Sequence, residues 1–476
     1  MIEASLVGFL VMFAGIGLAA ALRAKKSRTD YYLASRQVTP WLAGLSAVAT
    51  NNSGYMFIGV IGFTYVTGLD AIWLMVGWIA GDFIASLFIH RRLRLCTERT
   101  NEVSFASVVA RWHGEEFPVW RRIAAIVMVV FLGSYAAAQI SAGGKALQGV
   151  LGWDPAAGAV AVALIVLAYS VAGGIRASIW TDAAQSTVML CAMTLLFAVG
   201  VTGRGGIGAT VDELAAIPGY LDLFPADLLV PGGLGVALFV LGWMFAGFSV
   251  VGQPHVMVRF MALDNAGNMA RARAWYYGYF TAFYALATGV GMLSRLYLPE
   301  LGGMDAELAL PTMALELLPP VLVGLILAGI FAATMSTADS LVLACSAAIT
   351  HDLLPRRLER TWEVKAATAA VTLLALGIAL GETQSVFQLV ILSWSTLASA
   401  FAPLLTIYAA GRRISERGAI AAMVAGVTVA ILWRLAGLHG MVYEGMPGIL
   451  AGLLVAVALS EAAVRRADLE LSADKA

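Results

Sequence analysis

Two polar tracts interrupt long apolar runs, and both have the composition of a site for a monovalent cation. The first is Thr50-Asn51-Asn52-Ser53-Gly54, set between apolar stretches Trp41–Ala49 and Tyr55–Val66. Asn and Ser side chains compete with helical hydrogen bonds, and a glycine costs about 1 kcal/mol in a helix interior. Five such residues in a row predict an unwound hinge whose freed carbonyls can hold a cation, with a half-helix N-terminus open to a carboxylate. The plainer alternative is a polar patch that seals helix–helix contacts. The second tract is Ala332-Ala333-Thr334-Met335-Ser336-Thr337-Ala338-Asp339-Ser340. Positions 333, 336, 337 and 340 share one helical face. Two serines and a threonine on that face are neutral hard-oxygen donors, suited to a weakly held Na⁺, whereas a divalent ion calls for several carboxylates. Ser and Thr also serve as ordinary interhelical glue.

Two acidic residues lie in apolar surroundings. Asp182, in Trp180-Thr181-Asp182, either caps a helix N-terminus or joins a polar site inside the bundle. Asp82 either pairs, snorkels or works. Cys96, Cys191 and Cys345 have no metal-type spacing and read as small packing residues.

The elements that position these tracts are membrane helices. Of 476 residues 60% are hydrophobic and 13% charged, against about 45–50% and 25% in soluble domains. A span needs about 20 apolar residues. The apolar runs give thirteen candidates, near 4–22, 38–66, 70–89, 120–147, 155–172, 178–202, 232–252, 271–295, 319–350, 364–381, 385–409, 417–437 and 445–464. A soluble enzyme, a disulfide scaffold and a disordered chain are excluded, and zero net charge leaves no basic surface for a nucleic-acid partner. The expected partners are a small-molecule substrate and the lipid bilayer.

Lys and Arg orient the spans. With the N-terminus outside, alternation puts 26 of the 30 basic residues in inside segments and leaves Lys145, Arg204, Arg295 and Arg434 outside. The first span precedes its positive charges, unlike a secretory signal, and reads as uncleaved. The C-terminus is then inside, in a cytoplasmic (inner) membrane, with a tail too short for an appended signalling domain. Span 7 carries Gly242, Gly247 and Gly252 before Gln253-Pro254-His255. If spans 2–6 and 7–11 are two repeats, spans 2 and 7 are equivalent broken helices, which marks a transporter's binding site. His255 reads as structural.

At these residues the chain resembles the sodium:solute symporter family, most closely its sodium/proline branch. The matching segments are Tyr31-Tyr32-Leu33-Ala34-Ser35-Arg36, Leu45-Ser46-Ala47 running into Ser53-Gly54, and Gly173-Gly174 through Trp180-Thr181-Asp182 to Gln185. They continue with Gly252-Gln253-Pro254-His255, Arg259-Phe260-Met261-Ala262, and Ala333-Thr334-Met335-Ser336-Thr337 through Ser346 to Asp352-Leu353. The resemblance implies an all-α membrane protein with a LeuT-like inverted repeat of five plus five helices, one extra helix before and two after. The implied divisions are 1–37, a first repeat 38–203, an outside loop 204–230, a second repeat 231–410, and two final spans with a tail in 411–476. It further implies a Na⁺ site between spans 2 and 9, from the carbonyls of Ala49, Asn52 and Ala333 and the hydroxyls of Ser336 and Thr337. Some members hold a second sodium at the aspartate matching Asp182; here Ser336 and Ser340 flank Asp339, so a second Na⁺ or a proton at Asp182, Asp339 and Ser340 is a further option. Implied substrate contacts are Ser53, Gly54 and Tyr135, with Asn51 and Gln253 beside them. Two departures stand out: Asn51 replaces an aspartate, and Ala246 and Val250 fall where the branch has aromatics, with Trp243 and Phe248 nearby.

The expected function is Na⁺-coupled uptake of a small organic solute, proline or a related amino acid or carboxylate, by alternating access, with no enzymatic activity and no organic cofactor. The alternatives are H⁺ coupling on the same fold and a solute sensor without net transport.

Overall fold

The computed structural model describes residues 1–22, 27–299, 305–354, 361–381 and 385–462. Every structural statement below concerns these residues. Each of the thirteen expected spans falls on a helix or a pair of helices. Nine helical runs are long and apolar enough to cross a membrane, and Pro155–Ala168 and Gly445–Leu459 are shorter apolar helices.

Span 2 is split into Pro40–Asn51, a π-turn Tyr55–Gly59 and a helix Val60–Thr67. Spans 5 and 6 form one run, Pro155–Gly203, in which two helices meet at Gly174, whose φ of 59° and ψ of −171° favour a residue without a Cβ. Span 7 is the helix Gly232–Phe248, tightened into a 3₁₀ turn Ser249–Gly252 and followed by Pro254–Met261. Spans 3, 4, 8 and 9 are Ile72–Thr100, Pro118–Leu151, Met269–Tyr297 and Pro320–Ala347, the last continued by a π-turn Ala348–Leu353. Spans 10 to 13 are Thr361–Gly381, Val386–Ala409, Glu416–Leu435 and Gly445–Leu459.

Burial sorts these helices into a core and a rim. The most apolar windows of spans 11 and 9 are 89% and 83% buried, against 17% for span 1. An all-round buried helix belongs at the centre of a bundle, while the rim turns its exposed leucines and valines to lipid. Span 9 packs against spans 1, 4 and 6, and span 2 lies against spans 6 and 8. Spans 3 and 7 approach closely through glycines: a methyl on Gly81 would overlap the Met244 carbonyl, and one on Gly247 would overlap that of Trp78.

Two differences from the expected map are local. Span 13 ends at Leu459 rather than near residue 464, because Ser460–Ala462 pairs antiparallel with Arg412–Ile414 and sets Arg413 opposite Glu461. The loop after span 6 carries a short helix, Ile207–Ala215.

Candidate functional site

The break in span 2 begins at Asn52, where φ −81° and ψ 57° leave the helix. The Thr50 carbonyl accepts a hydrogen bond from Thr337 Oγ1 of span 9 at 2.9 Å. Thr50 Oγ1 lies 3.3 Å from Ser340 Oγ, which donates to the Ser336 carbonyl at 2.6 Å. The polar face of span 9 therefore meets the last helical turn before the break, 287 residues away in sequence. Ala49, Asn52, Ala333, Ser336 and Thr337 are all fully buried. Both ends of the Asn52 amide are buried without a hydrogen-bond partner. Ser336 Oγ lies beside the Asp182 carboxylate without a well-formed hydrogen bond. Such orphans are costly unless something else satisfies them.

The other side of the break faces span 4. Tyr135 donates from its hydroxyl to Ser53 Oγ at 3.0 Å, and the Gly54 amide donates to Gln139 Oε1 at 2.8 Å. Gly54 has no room for a side chain: a Cβ would stand 2.6 Å from Thr334 Cγ2 and 2.9 Å from Ala142 Cβ. Asn51 donates from Nδ2 to the Tyr276 hydroxyl of span 8 at 2.7 Å.

Span 11 supplies a residue that the sequence reading passed over. Trp394 Nε1 donates to the Ala246 carbonyl at 3.1 Å, and its ring lies 6.1 Å from both Tyr135 and His255. The small side chain at 246 leaves room for this indole to pack against Tyr135 and His255. Trp243 instead packs toward Phe63. Gln253 Nε2 donates to the carbonyls of Ser249 and Trp394. Gln253 Oε1, Gln139 Nε2 and both His255 ring nitrogens are buried and unpartnered. The His255 ring packs edge-on 5.4 Å from the Tyr135 ring.

A column of rings extends from Trp394, and a recess opens beside His255. Trp78 packs between Trp394 at 5.3 Å and Tyr55 at 5.9 Å, and Phe387 links Tyr55 to Phe63 at 5.3 and 5.0 Å. A small recess lies between Tyr31, Tyr32, Phe105, His255, Arg259 and Ser340.

Asp182 is fully buried about two turns into the helix that follows Gly174 and its side chain caps no terminus, so the capping alternative fails. Its Oδ2 accepts from Ser46 Oγ at 2.6 Å and from Arg259 Nη2 at 3.4 Å. Arg259 also donates to the His255 carbonyl, to Ser178 Oγ and to Ser340 Oγ. Asp182 and Ser340 therefore converge on a guanidinium. Asp339, one residue away, is buried on the Tyr31 side. Tyr31 sits on the short helix Arg28–Leu33, where burial first and Tyr32 next push its hydroxyl above the usual tyrosine range.

The comparisons with known proteins agree with one another. Residues 31–426 match the sodium:solute symporter family. The high-affinity proline transporter PutP of Bacillus subtilis is 30% identical over 445 residues, covering 91% of this chain and 92% of that protein. The sodium/proline symporter of Escherichia coli is 30% identical over 471 residues, covering 96% and 92%. Among solved structures, a Na⁺-coupled sialic acid symporter in a substrate-bound outward-open state superposes with a TM-score of 0.78 at 19% identity, over 97% of this chain and 98% of that one. MhsT in complex with L-phenylalanine superposes with a TM-score of 0.55 at 13% identity, over 91% and 99%. The two structures carry the LeuT-like fold, and the sequence match carries the assignment: this chain is a multi-pass membrane transporter of the sodium:solute symporter family.

Proposed function

We propose that this protein couples inward Na⁺ movement to uptake of proline or a closely related small amino acid or carboxylate. The observation that carries the reading is the meeting of the span 2 break with the hydroxyl face of span 9, joined by Thr337 and the Thr50 carbonyl. In this reading Na⁺ is held by the carbonyls of Ala49, Asn52 and Ala333 and the hydroxyls of Ser336 and Thr337. A neutral oxygen cage releases its ion readily, as a transport cycle requires. The orphaned Asn52 and Ser336 side chains support an occupant at this place.

The solute sits on the other face of the same break, against Ser53, Gly54 and Tyr135, with Gln253 holding the span 7 turn. The Gly54 amide and a half-helix N-terminus suit a carboxylate, and Trp394 with Tyr135 suits a compact apolar ring. Sodium binding orders the break and thereby completes the solute pocket. The ring column from Phe63 to Trp394 closes the outside path, and the recess behind His255 and Arg259 is the route inward. The excess of Lys and Arg supports an external N-terminus, an internal C-terminus and a cell-membrane location. The repeats are assigned to 38–203 and 231–410.

Arg259 already balances the Asp182 charge, which supports Asn52, Ser336 and Thr337 as the principal ion site rather than Asp182, Asp339 and Ser340. The energetics suffice with one ion. A tenfold Na⁺ gradient supplies about 1.4 kcal/mol and ~100 mV supplies about 2.3 kcal/mol per charge, enough together to concentrate a neutral solute several-hundred-fold.

The test is uptake of radiolabelled L-proline into proteoliposomes under an inward Na⁺ gradient, with choline and a pH gradient as controls. Na⁺-dependent accumulation is the expected result. Accumulation driven by the pH gradient alone overturns the coupling, and absence of proline uptake beside Na⁺-dependent thermal stabilisation by another solute overturns the substrate.

A further inference from the structure

Asp82 has two unremarkable fates open to a carboxylate inside a membrane helix, an ion pair or a reach to the surface, and it takes neither. Its side chain is fully buried in span 3, and both carboxylate oxygens lack a hydrogen-bond partner. The hydroxyls of Tyr276 and Tyr277, on span 8, lie beside it without forming well-directed hydrogen bonds. The Tyr277 hydroxyl is itself buried and unpartnered. The Tyr276 hydroxyl accepts from Asn51 Nδ2 at 2.7 Å.

Among the described residues no cationic side chain is hydrogen-bonded to Asp82. From span 7, Met244 and Phe248 press their backbones on Gly81. Along span 3, Ser86 donates to the Phe83 carbonyl, and His90 stacks on Phe260 at 4.0 Å with both ring nitrogens unpartnered. From span 8, Arg273 faces His90 and Tyr277, with its Nε and Nη1 buried and unpartnered. A buried charge without a partner costs several kcal/mol. One negative charge ringed by tyrosine oxygens lowers that cost by taking a proton or a hard monovalent ion, and lacks the carboxylates a divalent ion needs.

We infer that Asp82, Tyr276 and Tyr277 form a second monovalent-cation site, taking Na⁺ or H⁺, and that the Tyr276–Asn51 hydrogen bond couples its occupancy to the span 2 break. The site stands apart from the Ala49–Thr337 cage, and only the coupling step rests on the transport reading above. Loss of the cation pulls Tyr276 toward the bare carboxylate, weakens its contact with Asn51 and loosens the unwound segment.

The experiment uses the purified full-length protein without solute, so it stands whether or not proline is the substrate. Radioactive Na⁺ bound per chain is counted, and infrared difference spectra follow protonated carboxyl groups from about pH 5 to 9, a range that spans shifted carboxylates. Asp82→Asn is expected to remove either one Na⁺ per chain or one titrating carboxyl band, which identifies the occupant. Unchanged Na⁺ stoichiometry together with an unchanged spectrum overturns the site. Should Asp82→Asn fail to fold, Tyr277→Phe keeps the carboxylate and removes one donor. It is then expected to weaken the same occupancy about tenfold, a change of about 1.4 kcal/mol, and unaltered occupancy in Tyr277→Phe overturns the site as well. Asn51→Ala tests the coupling: it removes the partner of Tyr276 that lies outside the cation site, so it should leave the cation bound at Asp82 and abolish the effect of that cation on protease protection of the span 2 break. A retained effect overturns the coupling.

Discussion

Thr337 Oγ1 donates a 2.9 Å hydrogen bond to the Thr50 carbonyl, tying the middle of span 9 to the last helical turn before the span 2 break. The carbonyl is one that the break would otherwise strand in a dry interior, where a lone acceptor costs about 1–3 kcal/mol. In the proposed Na⁺ cage the oxygen of the same hydroxyl is a ligand. Thr337→Ala should therefore lower apparent Na⁺ affinity about 10- to 100-fold, measured as the sodium activation curve of uptake. Solute KM at saturating Na⁺ should move far less. Thr337→Ser, which keeps the hydroxyl, should restore most of the loss. A sodium curve unchanged in Thr337→Ala would remove Thr337 from the ion site.

Trp394 predicts a split between shape and hydrogen bonding. Trp394→Phe keeps a ring against Tyr135 but loses the bond from the indole N–H to the Ala246 carbonyl. Trp394→Ala removes the wall altogether and leaves a cavity, a change that costs about 3–5 kcal/mol in a packed core. The expected order of solute KM is wild type, then Phe, then Ala, with sodium affinity held. Solute-dependent thermal stabilisation checks this without flux. Equal KM in all three proteins would place the solute away from Trp394.

Arg259 and Asp182 form a buried pair at 3.4 Å with Ser46 bridging them. Removing one partner of such a pair strands the other and costs about 3–5 kcal/mol, while removing both costs much less. Arg259→Met and Asp182→Asn should each lower the melting temperature sharply, and the double variant should recover part of the loss. Strictly additive losses would show that the two charges do not depend on one another.

The thirteen spans were legible because lipid demands apolar length. The break in span 2 was legible because five consecutive residues disfavour a helix. Contacts between helices were not written in either pattern. Asp182 was read as a possible cap because its partner Arg259 lies 77 residues away and only the folded bundle joins them. Trp394 stands in Ser393-Trp394-Ser395-Thr396, a polar interruption of span 11 that resembles ordinary interhelical glue until its indole is seen against Ala246. Asn51 looked like a pocket residue from its place in the break, yet its amide points to Tyr276. Gln139 had a visible signal: it lies four residues after Tyr135, on the same face of span 4.

Gln139 carries the last prediction. Its Oε1 accepts the Gly54 amide at 2.8 Å, while its Nε2 is buried with no partner. The side-chain carbonyl thus stands where a solute carboxylate would meet the half-helix N-terminus. Gln139→Glu preserves an acceptor for Gly54 and places a negative charge there. It should weaken a carboxylate-bearing solute by more than about tenfold, since like charges at close range in a dry site repel strongly. Gln139→Ala removes the competitor and the orphaned donor together, and should shift solute affinity by less than the Glu variant does. Sodium activation should be preserved in both, because neither touches Thr337 or Ser336. Competition of unlabelled amino acids and of their amides against labelled solute separates the cases: the Glu variant should discriminate against free carboxylates and spare amides. Equal loss for acids and amides would show that Gln139 shapes the pocket without facing the carboxylate.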